Sequence, residues 1–172
     1  VNLIIYTGLV LLLFNLLRKY IFRDLWLGFI AAFLFAIHPI HTEVVANIKG
    51  RDELICLFFL LWSLHQLWRF IEKKKTIAYI SALLLFGLSM TAKENSLVFL
   101  AGIPIMLYFF TDLKFRKIAV YTGGFLAVTI LLVVIRNAIV PLSNVAMSNE
   151  VTNNPYLYAK GAESLATKFY VL

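Results

Sequence analysis

The chain has 172 residues, of which 62% are hydrophobic, and its mean hydropathy is +0.87. Ordinary soluble domains contain roughly 45–50% apolar residues, so this composition excludes a soluble globular protein and indicates an integral membrane protein. The 16 Lys and Arg residues outnumber the 9 Asp and Glu residues, but the excess falls in short loops between apolar runs, which argues against a nucleic-acid partner.

Six apolar runs of helical length follow one another along the chain. They predict an all-α fold, a polytopic membrane helix bundle of about six transmembrane helices that forms a single transmembrane domain over residues 1–172. The predicted spans are residues 2–17, 25–37, 52–69, 77–91, 97–110 and 118–135, followed by an external tail at 136–172. The first residue already lies within an apolar run, and another apolar run begins at the last few residues. We therefore expect the chain to be a fragment of a longer protein.

Charge is distributed unequally between alternate loops. The first, third and fifth loops between the predicted helices carry ten basic and three acidic residues, whereas the second and fourth loops and the tail carry six of each. Basic residues accumulate on the cytoplasmic side of membrane proteins. We therefore expect the second and fourth loops and the tail to face away from the cytoplasm, in a bacterial inner membrane or an endoplasmic reticulum membrane.

A polar stretch, residues 38–53, separates the second and third apolar runs. Polar and charged groups at the edge of hydrocarbon are costly and usually functional. The second, fourth and fifth predicted helices are also short for a hydrocarbon core of about 30 Å, so we expect these polar residues to line a cavity below the membrane surface. We take this stretch as the centre of the candidate site.

The polar stretch also has a predicted local structure. Thr42 is expected to cap a short helix over residues 43–49, which ends at Gly50. In such a helix Glu43 and Asn47 are i, i+4 neighbours and share the polar face. The alternative is a wet surface loop whose charges pair with each other.

Two histidines begin the stretch and raise the question of a metal site. His38 and His41 flank Pro39, which interrupts the helix that would hold two ligands on one face, and the spacing differs from the zinc pattern His-Glu-x-x-His. His65 lies near the other end of the third helix. We therefore predict no metal site, and interpret His38 and His41 as substrate-binding residues that orient a ligand or bind an anion.

Charged residues in two loops complete the candidate site. Arg51 and Asp52 precede the third predicted helix, and Lys93 and Glu94 lie in the tight turn between the fourth and fifth. A guanidinium and an ammonium group on one face suit a phosphate. The alternatives are a capped helix start with a local ion pair, and a simple pair of turn residues.

The motif His38-Pro-x-His-Thr-Glu43-Val-Val-Ala, followed by Gly50-Arg-Asp-Glu-Leu54 and by Ala92-Lys-Glu-Asn95, resembles the transmembrane and tetratricopeptide-repeat-containing O-mannosyltransferases and their bacterial relatives. The resemblance implies part of a GT-C type membrane glycosyltransferase that moves a mannose-like sugar from a polyprenyl-phosphate carrier to a protein hydroxyl on the non-cytoplasmic face.

The resemblance also implies roles for particular residues. Such enzymes place a catalytic Asp in their first external loop, which is expected upstream of this chain, so Glu43 is the best acidic candidate within it. The other substrate-binding candidates are His38, His41, Asn47, Arg51, Asp52, Lys93 and Glu94. The expected partners are membrane lipid, the lipid-phosphate sugar donor and an acceptor protein; no further cofactor is certain, and a divalent cation is left open.

Two other functions are compatible with part of the pattern. A transporter or flippase would use the same outward-facing polar cavity, but its sequence would be expected to show paired broken helices in related halves. A membrane scaffold without chemistry would have no use for the polar stretch.

Overall fold

The computed structural model describes residues 1–93 and 95–139, which are helical and contain no strand. This confirms the all-α prediction. The helices are α1 (Asn2–Leu16) with a π-helical turn at Leu17–Ile21, α2 (Leu25–Ile37), α3 (Ile40–Ala46) with a 3-10 turn at Ile48–Gly50, α4 (Arg51–Lys73), α5 (Thr76–Ala92), α6 (Ser96–Phe110) and α7 (Phe115–Ile139). Residues 1–132 form one compact unit, and 133–139 are the described part of a second. The predicted external tail lies largely outside the described residues.

The helices are those of a membrane bundle. Three helical stretches in the described residues are long and apolar enough to cross a membrane, namely Asn2–Ile21, Ile48–Lys73 and Phe115–Ile139. The pair α2 and α3, bent by 63°, passes the same test together, and the shorter α5 and α6 are also apolar. Large apolar side chains are exposed along these helices, among them Trp26 at 70%. In a membrane such side chains face lipid.

Helix α4 lies at the centre of the bundle. It packs mainly against α5 and α1, and its Leu60 and Leu67 are completely buried. Small residues of α5, Ala78 and Ala82, are buried too, and Ser63 Oγ donates a hydrogen bond of 2.7 Å to the Ala82 carbonyl oxygen. Close approach at small residues and hydrogen bonds between helices are the usual basis of packing within membranes, where burial of apolar surface from water contributes little.

Helices α1, α4 and α7 extend beyond their predicted ends, and α7 covers Phe115–Ile139 instead of residues 118–135. The chain after α1 continues through the π-helical turn instead of leaving the helix near Leu17. Helix α4 continues past Arg69 because Phe70 and Ile71 still pack against the core, and it ends where Lys74 takes a left-handed conformation at φ 54°. The apolar runs therefore indicated where helices exist, whereas packing and backbone conformation determine where they end.

Candidate functional site

The polar stretch between α2 and α4 folds as a bent connection. His38 is extended, with φ −66° and ψ 126°, as the residue before a proline prefers. Its ring Nδ1 accepts a hydrogen bond of 3.2 Å from the Ile40 backbone N–H. The short helix α3 therefore begins at Ile40, with Pro39 as its N-cap. The predicted helix over residues 43–49 with Thr42 as its cap is wrong, because Pro39 suits the first turn and starts the helix earlier.

Gly50 was predicted to end α3. Instead, it allows the start of α4 to approach the backbone of α3. It is buried and closes the 3-10 turn that follows Asn47. A Cβ atom built on Gly50 would lie 2.3 Å from the Val44 carbonyl oxygen and 2.8 Å from the Val44 Cα atom. Only a residue without a side chain allows this contact between the start of α4 and the backbone of α3.

The two histidines lie in an aromatic group at the bend. The His41 ring centroid is 4.2 Å from that of Phe35, 5.9 Å from that of Tyr6 and 6.0 Å from that of His38. Tyr6 Oη donates a hydrogen bond of 2.9 Å to the carbonyl oxygen of Ala36 and so satisfies the C-terminal end of α2. This group fixes the angle between α2 and α3.

Metal-ligating side chains do not cluster in the described part of the chain. Residues 1–93 and 95–139 contain no group of three or more His, Cys, Asp or Glu residues that could hold a metal ion. The third histidine, His65, stacks edge-on against Tyr20 near the opposite end of α4, with ring centroids 5.4 Å apart.

Four of the predicted site residues line one open cavity of about 330 Å³ between α3 and the start of α4, which we call the α3–α4 cavity. They are Glu43, Asn47, Asp52 and Lys93. The cavity is also lined by Val44, Lys49, Gly50 and Glu53. His38, His41 and Arg51 do not line it, and Glu94 lies outside the described residues. The α3–α4 cavity thus combines three carboxylates, one amide and two ammonium groups.

Lys93 reaches across from the end of α5 to pair with Glu53 of α4. The hydrogen bond to Glu53 raises the pKa of the Lys93 ammonium above its ordinary value, so the group is charged at neutral pH. An ammonium group has three donors, and Glu53 occupies one. Lys93 can therefore keep its ion pair and still bind an oxygen of a ligand.

A buried polar cluster holds the backbone of Lys93 in place. Ser96 Oγ donates a hydrogen bond of 3.1 Å to the Lys93 carbonyl oxygen, and Cys56 Sγ lies 3.0 Å from Ser96 Oγ. Ser89 Oγ in turn donates 2.9 Å to the Cys56 carbonyl oxygen. Because Cys56, Ser89 and Ser96 belong to α4, α5 and α6, the cluster ties the three helices together directly beneath Lys93.

Arg51 lies beside the α3–α4 cavity and is oriented by Asn2 of α1. Arg51 Nε donates a hydrogen bond of 3.2 Å to Asn2 Oδ1. Asn2 Nδ2 donates to the carbonyl oxygens of Asn47 at 2.9 Å and of Val45 at 3.2 Å. Asn2 therefore links three parts of the site, a role that a single asparagine at the start of an apolar run does not reveal in the sequence. The four N–H donors on the terminal nitrogens of Arg51 have no acceptor within the described residues.

The arrangement offers two kinds of chemistry. Carboxylates and an amide accept hydrogen bonds from hydroxyl groups, and a correctly placed carboxylate can also take a proton. The ammonium and guanidinium groups suit the oxygens of a phosphate. A compound that carries both sugar hydroxyls and a phosphate matches the α3–α4 cavity and the adjacent Arg51.

Comparison with known proteins agrees with this chemistry. The family model described as dolichyl-phosphate-mannose-protein mannosyltransferase matches residues 1–137. The chain is 50% identical to the human protein O-mannosyl-transferase TMTC1 over 62 residues, which are 36% of this chain and 7% of that protein. It is 37% identical over 100 residues to the Caenorhabditis elegans protein O-mannosyl-transferase F38B6.6, covering 57% of this chain and 14% of that protein.

A third relative, human protein O-mannosyl-transferase TMTC2, is 35% identical over 112 residues, which are 62% of this chain and 13% of that protein. The matched segments therefore span at most about a seventh of these relatives. No solved structure matches the chain. The resemblance noted from the polar motifs is confirmed.

Proposed function

The chain belongs to the dolichyl-phosphate-mannose-protein mannosyltransferase family, and from this we propose that it is part of a membrane glycosyltransferase. The donor is a polyprenyl-phosphate sugar, mannose or a similar hexose, and the acceptor is a protein hydroxyl. The observation that carries the proposal is the convergence of Glu43, Asn47, Asp52 and Lys93 on the α3–α4 cavity, with Arg51 beside it, inside the segment that matches the family.

The proposed reaction moves one glycosyl group. The bond between the anomeric carbon and the donor phosphate oxygen breaks, and the acceptor oxygen forms a new bond to that carbon. The acceptor proton goes to a base, and the lipid phosphate leaves with the electron pair. Negative charge therefore grows on the departing phosphate and requires cations that are already in position.

We assign the cationic role to Lys93 and Arg51. Lys93 is held by Glu53 and by the cluster around Ser96, and Arg51 is held by Asn2. Both cations are thus fixed before a phosphate arrives, so little side-chain entropy is lost on binding.

The remaining residues are assigned to the sugar and the acceptor. Asn47 and Asp52 are suited to sugar hydroxyls, and Glu43 to positioning the acceptor or taking its proton. His38 and His41 help to fix the direction of α3 and so position the residues that α3 carries. The residues that line the cavity contact the substrate directly. Glu94 keeps its predicted role as a substrate-binding residue.

The proposed location is a bacterial inner membrane or the endoplasmic reticulum membrane, with the α3–α4 cavity on the periplasmic or lumenal face. The carrier lipid would approach through the bilayer and the acceptor protein from the aqueous side. The inequality of charge between alternate loops supports this orientation.

The transporter alternative receives less support. A broken span is typical of transporters, and α2 with α3 forms one. Transporters built from repeats contain such breaks in pairs, whereas residues 1–93 and 95–139 contain a single bent pair. Conversion of the donor separates the two functions, because only a transferase would use a bound polyprenyl-phosphate mannose to glycosylate an acceptor.

Mannose transfer by the full-length protein tests the proposal. Purified protein is incubated with polyprenyl-phosphate mannose and an acceptor peptide rich in Ser and Thr, and glycosylated peptide is measured by mass spectrometry. We expect Lys93→Ala and Arg51→Ala to abolish transfer while the helical circular dichroism spectrum is unchanged. Lys75→Ala removes an exposed lysine at the other end of α5 and is expected to leave transfer intact. Turnover at the wild-type rate in both Lys93→Ala and Arg51→Ala would refute the assignment.

A further inference from the structure

A cavity of about 630 Å³ lies at the opposite end of α4 from the α3–α4 cavity. It is formed where the turn after α1, the last turns of α4 and the end of α6 meet. We call it the Arg23 cavity. Its lining residues come from the three loops that the sequence predicts to be cytoplasmic, and it takes no part in the proposed transfer reaction.

Two arginines line the Arg23 cavity without a carboxylate partner within residues 1–93 and 95–139: Arg18 and Arg23. The neighbouring Lys19 differs, because its ammonium pairs with Glu72 at 3.2 Å. The carboxylate of Asp24 is likewise occupied, since it accepts a hydrogen bond of 2.8 Å from the Leu27 backbone N–H at the start of α2. Two guanidinium groups are therefore available to an anion.

The backbone holds both arginines in unusual local conformations. Arg18 lies in the π-helical turn, where the Phe22 backbone N–H donates to the Leu17 carbonyl oxygen at 2.9 Å. A Cβ atom on Gly28 of α2 would lie 2.8 Å from the Arg18 Cα atom, so α2 presses directly on this turn. Arg23 has φ 55°, in the left-handed region that non-glycine residues seldom adopt. π-helical turns and strained residues of this kind concentrate at functional sites.

Aromatic residues line the Arg23 cavity beside the charges. The Tyr20 and Trp68 rings are tilted against each other with centroids 5.6 Å apart, and Phe110 also lines the cavity. A second cavity of about 400 Å³ continues from it past Tyr108 and Phe109, which are 65% and 71% exposed. Aromatic rings next to basic side chains are typical of the boundary between hydrocarbon and headgroups. The basic side chains of the Arg23 cavity thus lie next to the exposed aromatic rings that line the second cavity.

Carboxylates and helix ends do not cancel the positive charge. The C-terminal ends of α1, α4 and α6 carry partial negative charges, each smaller than the full charge of one arginine. Among the described residues, Asp112 is the one carboxylate that lines the cavity without an ion pair, against two full charges on the arginines. The three loops also carry ten basic residues to three acidic ones, so the surrounding potential favours an anion.

From this geometry we propose that the Arg23 cavity binds the phosphate of an anionic membrane phospholipid, with Arg18 and Arg23 on the phosphate and the acyl chains leaving past Tyr108 and Phe109. A volume of about 630 Å³ is within the usual range for small-ligand sites, about 300–1,000 Å³. The site would anchor α1, α4 and α6 to the leaflet that the sequence predicts to be cytoplasmic.

The test titrates short-chain phosphatidylglycerol into the purified full-length protein and follows the thermal unfolding midpoint. Basic residues near an anionic surface each contribute about five-fold in affinity, so R18Q/R23Q is expected to bind about 25-fold more weakly. The control R116Q/K117Q removes the same charge from the start of α7, which lines neither cavity, and is expected to bind as the wild type does. The variant R18K/R23K keeps the charge and is expected to retain most of the affinity.

Three outcomes would overturn the proposal. Equal weakening in R18Q/R23Q and R116Q/K117Q would indicate diffuse attraction rather than a site. An equal shift with short-chain phosphatidylcholine would exclude recognition of an anion. Inorganic phosphate that raises the midpoint of the wild type as phosphatidylglycerol does would assign the site to a soluble anion. Midpoints without added lipid, together with circular dichroism, show that each variant is folded.

Discussion

Replacing Gly50 with alanine tests whether the contact between α3 and α4 forms the candidate site. The added Cβ atom would lie 2.3 Å from the Val44 carbonyl oxygen, where ordinary contact begins near 3.4 Å. Both atoms belong to backbone or are fixed to it, so no side chain can rotate away. The backbones of α3 and α4 must therefore separate by about 1 Å.

This separation of the two backbones is expected to lower both the stability and the turnover of the protein. Forcing extra atoms into a packed contact costs about 1–3 kcal/mol, which for a chain of this size lowers the thermal midpoint by about 2–12 °C. The φ of Gly50 is −73°, which alanine adopts without strain, so the cost comes from the contact alone. A displacement of about 1 Å moves Glu43 and Asn47 relative to Asp52 and Lys93, and such misplacement can reduce turnover by about 100-fold.

The matched control is Gly102→Ala in α6, where a Cβ atom would meet no heavy atom within 4 Å. It is expected to stabilise the helix by up to about 1 kcal/mol and to leave transfer unchanged, since alanine is the better helix former. Thermal unfolding followed by circular dichroism, and mannose transfer to a peptide, measure the two effects. If Gly50→Ala kept both the wild-type midpoint and the wild-type rate, the close contact would not determine the geometry of the site.

Two further predictions concern hydrogen bonds between helices. Asn2→Ala is expected to reduce transfer without abolishing it, because Arg51 loses the acceptor of its Nε–H but keeps its charge; transfer at the wild-type rate would contradict this. Ser63→Ala is expected to lower the free energy of unfolding by about 1 kcal/mol, through loss of the bond to the Ala82 carbonyl oxygen, without altering transfer. Ser81→Ala, whose hydroxyl bonds only within its own helix, serves as the control in the same denaturation experiment.

The helices could be predicted from the sequence because long apolar runs between charged loops have few other structures in a membrane. Element ends were harder to predict. The π-helical turn at Leu17–Ile21 shares its composition with an ordinary helix end, and nothing in the residues distinguishes the two. The start of α3 was misplaced because Thr42 is a good capping residue. The ring of Pro39, which fixes the backbone angle φ, had the stronger effect on where the helix starts.

The sequence indicated several polar residues that the structure brings to one cavity, but not the contacts that hold them there. Charged residues concentrated in two loops of the same predicted face indicated the cavity that Glu43 and Lys93 line. The pairing of Lys93 with Glu53, 40 residues away, depends on how α4 and α5 pack. The roles of Asn2 and of the cluster around Ser96 were missed for the same reason. A single amide or hydroxyl group in an apolar helix has many possible hydrogen-bond partners in the sequence, and the fold selects one of them.

Helix α4 connects the two sites, and its length decides where they lie. Its 23 residues rise about 34 Å, close to the hydrocarbon thickness of about 30 Å. If α4 crosses the membrane as the sequence predicts, the α3–α4 cavity at its first turn and the Arg23 cavity at its last turns are expected near opposite membrane boundaries. Helices α2 and α6, with 13 and 15 residues, rise only about 20 and 22 Å. Helix α6, which packs against α4, is too short to reach both boundaries beside it, whereas α2 passes the spanning test only together with α3. We expect the polar groups of the two cavities to occupy the space that this difference in length leaves at the helix ends.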